Sequence, residues 1–137
     1  MLKFKVKEGH SITYTKITTA SDAFVSNTAT INYLLSTTSI ISMVIDLSCK
    51  LIDDKLPQNY ITVGRKMDIS HLNPTLIGDE ISLTVTVKRI ENHEIFLEFV
   101  VTDNNEVVCM GSCERVVVNK DKLYENAYNR IHKNSGG

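Results

Sequence analysis

The stretch from Leu34 to Lys55 constrains the fold more than any other, because it reads as the one long helix of the chain. Ile40, Ile41, Met43, Val44, Ile45, Leu47, Leu51 and Ile52 point in nearly every direction around its axis, which predicts a helix covered on most sides. Ser36, Thr37, Thr38 and Ser39 offer alternative N-caps, and Pro57 supplies a stop. A helix of that kind needs a sheet broad enough to cover it.

The remaining residues supply such a sheet. Leu2–Glu8 and Ser11–Ile17 alternate polar with apolar and read as one strand interrupted at Gly9. Thr18–Thr30 is small and polar, a loop or short helical turn. Ile61–Ser70 is a strand, followed by turn signals at Asn73-Pro74 and Gly78-Asp79. Ile81, Leu83, Val85 and Val87 alternate with Ser82, Thr84, Thr86 and Lys88 in the clearest period-2 run. A second such run spans Ile95–Val101, and Glu106–Asn119 is a long last strand. Short turns between them predict a four-strand antiparallel meander. Lys120–His132 reads as a short amphipathic helix. The expectation is a single α+β domain over 1–137, an antiparallel sheet wrapped around one long central helix, the layout of the hotdog fold.

At 137 residues the chain is one domain's length. Its 15 Lys+Arg against 16 Asp+Glu leave a net charge of −1, which argues against general nucleic-acid or polybasic membrane binding. No run is long and apolar enough to span a bilayer, and the N-terminus lacks the apolar core of a signal peptide. Cys49, Cys109 and Cys113 are an odd set, and a four-residue strand spacing holds the last two too far apart for a disulfide. Reduced thiols in a cytoplasmic protein are expected. No metal-ligand spacing or phosphate loop is present.

Two residues stand out chemically. Asp46 lies within ISMVIDLSC, where a buried carboxylate would need a partner or a task. Thr38, Ser42 and Asp46, spaced by four, draw one polar stripe along the helix. His71 ends a strand beside a loop, where an imidazole can reach a cleft and transfer protons near neutral pH. Gly64 interrupts the same strand and marks a bulge or a close ligand approach. Arg115 sits in CERVVV, where a cross-strand ion pair is the plain account.

The runs TTSIISMVIDLSC, VGRKMDISHLNPTLIGDEISLTVTV and GSCERVVV, with SDAFVSNTAT ahead of them, resemble the hotdog thioesterases related to fluoroacetyl-CoA thioesterase. The resemblance spans about Val6 to Val118. That family has a threonine near the start of the central helix, an acidic residue eight positions on, and a histidine after the next strand. The resemblance assigns these to Thr38, Asp46 and His71 as catalytic residues. It assigns substrate contact to Gly64 and Arg115, with Cys113 where the family has histidine, and aspartate where the fluoroacetyl enzyme has glutamate. It implies an acyl-CoA thioesterase acting on a small or medium acyl group, a CoA thioester as substrate with no further cofactor, and a homodimer with active sites at the subunit interface. The alternatives are a non-catalytic hotdog module that binds an acyl thioester or related small ligand, and a hydratase, whose paired acid and base in a different helix-entry motif are not found.

Overall fold

A computed structural model describes residues 5–25 and 30–133. Its elements are β1 (Ser11–Ile17), β2 (Ala23–Val25), β3 (Thr30–Leu35), α1 (Thr37–Ile52), β4 (Tyr60–His71), β5 (Glu80–Glu91), β6 (Glu94–Asp103), β7 (Glu106–Asn119) and α2 (Lys120–Lys133). Five strands form one antiparallel sheet in the order β1-β5-β6-β7-β4, and β2 and β3 form a separate hairpin.

The period-2 runs become the inner face of the sheet. Ile81, Leu83, Val85 and Val87 of β5 and Ile95, Leu97, Phe99 and Val101 of β6 all point into the core. Asn104 and Asn105, both at positive φ (44° and 68°), close the β6–β7 hairpin as a two-residue turn whose hand matches the strand twist. At Gly111 a Cβ would run into the Asp68 carbonyl oxygen and approach Phe99 Cζ to 2.7 Å. Only glycine lets β4 and the Phe99 ring close over β7 there.

Helix α1 lays one face on this sheet. Ile40, Val44 and Ile52 are fully buried, with Leu47, Ser48 and Leu51 beside them. Each fully buried aliphatic side chain contributes about 1.5–3 kcal/mol. Ser36 caps the helix by accepting from the Ser39 N–H at 3.0 Å. The 3-10 turn at Ala20–Asp22 is tied to that end. The buried Asp22 carboxylate accepts from Ser39 Oγ (2.6 Å) and Lys16 Nζ (3.0 Å), and its carbonyl accepts from Ser36 N–H (2.8 Å). Burial alone would raise the Asp22 pKa, but bonds from Lys16, Ser39 and the Thr19 N–H hold it below the ordinary carboxylate value.

Several expectations need correction. The helix begins at Thr37, not Leu34, because Leu34 and Leu35 close β3. It is not covered on most sides, since Thr38, Ser42, Ile45, Asp46 and Lys50 are exposed within one chain. The last four strands are not a meander: β5, β6 and β7 are, but β4 pairs with β7 at the sheet edge. The connection over 72–79 is long enough to carry the chain across, whereas the two later hairpins are not. The first strand runs only from Ser11, with Gly9 at φ +89° in the turn before it. The Leu2–Phe4 part of that expectation lies outside the described residues.

Candidate active site

The start of α1 and the end of β4 meet. Thr37 Oγ1 and His71 Nδ1 share a hydrogen bond of 2.8 Å. Thr37 is the first helical residue because Ser36 takes the cap. His71 is the last residue of β4, paired with Cys109 on β7. The other ring nitrogen, Nε2, is buried and has no hydrogen-bond partner among the described residues. The Thr37 and Thr38 N–H groups belong to the first turn, which a helix cannot satisfy internally, and the helix dipole makes that end electropositive. A hydroxyl, an imidazole and unsatisfied amides thus share one spot, which also carries Leu34, Leu72 and Pro74.

Thr38 does not share it. One residue further round the helix, it is exposed and lines a different hollow with Ser21, Phe24 and Ser42. Asp46 is neither buried nor near His71. It is exposed and lines a small cleft of about 210 Å³ with Tyr14, Lys16, Met43 and Lys50, on the β1 side of the helix. The reason is angular, since successive helical residues differ by about 100°. The polar stripe Thr38–Ser42–Asp46 exists, but it faces out from the sheet.

Gly64 and Arg115 do converge. They are cross-strand neighbours in β4 and β7, and they line a cleft of about 510 Å³ with Ile41, Ile45 and Met67. That volume is in the range of small-molecule sites. The expected bulge is present, for the β4–β7 register shifts between Gly64 and Lys66. The extra residue, Arg65, changes the side-chain parity of β4. Thr62 lies inward before it, while Met67, Ile69 and His71 lie inward after it. The bulge therefore sets Gly64 and His71 on the same face despite their odd spacing. A hollow of similar size on the outer face of the sheet, around Asp68, Lys88 and Met110, contains none of these residues.

Arg115 is held by Thr62, whose hydroxyl and carbonyl accept from Nε (2.9 Å) and Nη2 (3.0 Å). Thr62 looks like any strand threonine in sequence, and nothing flags it. Thr37 was among the possible caps, and only the position of the true cap separates it from Thr38.

A family model described as fluoroacetyl-CoA-specific thioesterase matches residues 17–121. The chain belongs to the fluoroacetyl-CoA thioesterase family. A solved hot-dog-like protein from Thermanaerovibrio acidaminovorans is 30% identical and superposes with a TM-score of 0.84, covering 90% of this chain and 91% of that one. A Thermus thermophilus hypothetical protein described as a thioesterase superfamily member gives 0.84 at 15% identity, with 96% and 97% covered. Fluoroacetyl-CoA thioesterase itself gives 0.82 at 13% identity, with 91% and 97% covered. These likenesses bear out the hotdog fold and the thioesterase family. No curated protein matches by sequence.

Among the described residues no helix is long and apolar enough to cross a membrane, and no group of three or more His, Cys, Asp or Glu side chains could hold a metal.

Proposed function

We propose that this family member hydrolyses a small or medium acyl-CoA thioester to the free acid and CoA, with Thr37 and His71 as the reacting pair. The hydrogen bond between them carries the reading. His71 Nδ1 takes the proton of the Thr37 hydroxyl as its oxygen attacks the thioester carbon, and N–H groups of the first turn of α1 receive the oxyanion. Collapse expels the CoA thiolate, which is protonated through His71. Water then attacks the acyl-threonine with His71 again as base, and the acid leaves. The resemblance implies an acidic residue eight positions after the threonine. Counted from Thr37 that position is Ile45, so this chain places an apolar side chain there, and Asp46 is one residue round the helix.

Gly64 and Arg115 contact the substrate in this reading, and a homodimer joins them to the reacting pair. Along one β4 they lie about 20 Å from His71 at the rise of an extended strand. β4 is an edge strand twelve residues long. With Arg65 as the extra residue of the bulge, antiparallel pairing of two copies of β4 centred on Asp68 sets Gly64 of one opposite His71 of the other. The thioester is the only small molecule the reaction needs besides water. The three free cysteines suit a cytoplasmic setting.

Free-thiol release from acetyl-, butyryl-, long-chain and aromatic acyl-CoAs tests the reading. Turnover of at least one ester is expected. Tight binding of a CoA ester without turnover of any would instead establish the binding module.

A further inference from the structure

Arg115 rises from the middle of β7 and is only 6% exposed. A guanidinium so buried calls for an anion or a full set of acceptors. Its Nε and Nη2 are filled by neutral groups, the Thr62 hydroxyl, the Thr62 carbonyl and Cys49 Sγ at 3.3 Å. Cys49 stays a thiol, since burial raises its pKa. Among the described residues no carboxylate lies within ion-pair distance of Arg115.

The aim of this cation is set from behind. Thr62 donates its one hydroxyl proton to Asp53 Oδ1 at 2.6 Å, so its oxygen can only accept from Arg115. Asp53 sits in the 3-10 turn that follows α1. The remaining nitrogen, Nη1, reaches toward Gly64, where a Cβ would stand 3.5 Å from it. The missing side chain leaves Nη1 open to the cleft. Arg65 at the rim is already paired with Glu94 and with Glu114, the one carboxylate among the residues lining the cleft, and Lys66 adds a further positive charge. The helix faces the same cleft with Ile41 and Ile45 and no carboxylate, because Asp46 is turned to the other side.

We propose that this cleft reads an anionic oxygen group on the thioester, with Arg115 as the contact and Thr62 and Asp53 as the positioning residues that aim it. Two parts of such a ligand carry that chemistry: a carboxylate at the far end of a short acyl chain, and the phosphates of CoA. The inference rests on the thioesterase reading for its ligand, though not for its geometry.

The test compares succinyl and butyryl thioesters, equal in carbon count and differing in the terminal carboxylate. Each is presented on CoA and on pantetheine, which lacks the nucleotide phosphates. KM and kcat are measured for wild type, Thr62→Val, Thr62→Ser and Asp53→Ala. Loss of a hydrogen bond to a charged group predicts about a tenfold rise in KM for the anionic ligand in Thr62→Val, with kcat little changed. Asp53→Ala moves the same way, and Thr62→Ser restores wild-type KM. An acyl carboxylate as the anion gives preference for succinyl on both carriers, and a CoA phosphate gives preference for CoA with either acyl group. In each case Thr62→Val erases the preference. Equal treatment of all four esters by wild type, or an equal fall in kcat for all four in Thr62→Val, overturns the proposal and leaves the thioesterase reading standing. If no ester turns over, the same comparison is made by equilibrium binding. A tenfold preference lost in Thr62→Val then keeps the anion pocket without the hydrolysis, and equal affinities overturn it.

Discussion

On the β4–β7 side, α1 shows Ile41 and Ile45 to a cleft lined by Gly64 and Arg115. On the β1 side it shows Asp46 and Lys50 to a smaller cleft walled by Tyr14 and Lys16. The first side is apolar on the helix and cationic on the sheet, and it adjoins the edge strand that ends in His71. The second carries the helix carboxylate but is remote from the histidine. Residues 45 and 46 are adjacent in the chain, yet the helical turn between them sends an isoleucine to the ligand-sized cleft and an aspartate away from it. A carboxylate in a greasy helix is thus a poor guide to chemistry until the rotation of that helix is known.

The largest effect should come from the reacting pair. His71→Ala or Thr37→Ala is expected to lower kcat by about 10²–10⁴-fold in thiol-release assays, with the fold intact by circular dichroism. Thr38→Ala should stay within a few-fold of wild type, and a matching collapse in Thr38→Ala would shift the pair one residue along the helix.

The β4–β7 side also depends on how tightly its strands close. Gly111→Ala is expected to destabilise the protein by about 3 kcal/mol or more in urea unfolding, because the new methyl group meets backbone that cannot yield. A change under about 1 kcal/mol would mean that β4 and β7 can separate there without cost.

Asp22 belongs to the opposite flank, where it ties the Ala20–Asp22 turn to α1. Asp22→Asn should cost about 1–2 kcal/mol at neutral pH. The folded pKa of Asp22 is lowered, so its stabilisation is full above the unfolded value near 3.8 and is lost as pH falls through the folded one. Wild type and Asp22→Asn should therefore converge in stability in acid, and a gap that does not narrow as pH falls below 3.8 would contradict the assignment.

The smallest effect should come from Asp46→Asn, which is expected to leave kcat/KM within about twofold and stability within about 0.5 kcal/mol, as for an exposed surface position. A loss as deep as that of His71→Ala would bring Asp46 back into the reaction and would require a second chain to carry it there.

The strands after residue 60 were legible because each buries one face and so must alternate, and the tight turns fixed the β5–β6 and β6–β7 pairings but not that of β4. The site was legible in part. His71, Gly64 and Arg115 stand out against their surroundings, as an imidazole at a strand end, a glycine inside a strand and a charge inside an apolar run. Thr37 and Thr38 are two threonines in a row of possible caps, and nothing local ranks them. Thr62 and Asp53 carry no mark at all, since their importance lies in pointing Arg115.

The sequence by itself determined one long helix, an antiparallel sheet to hold it and a histidine at the end of a strand, because periodicity and turn chemistry are local properties. Only the tertiary structure decided that β4 crosses to pair with β7, that Ser36 caps the helix so that Thr37 meets His71, and that Ile45 rather than Asp46 faces Arg115. Those outcomes depend on a crossing connection, a one-residue bulge and the rotation of a helix about its axis, each set by packing between segments far apart in the chain.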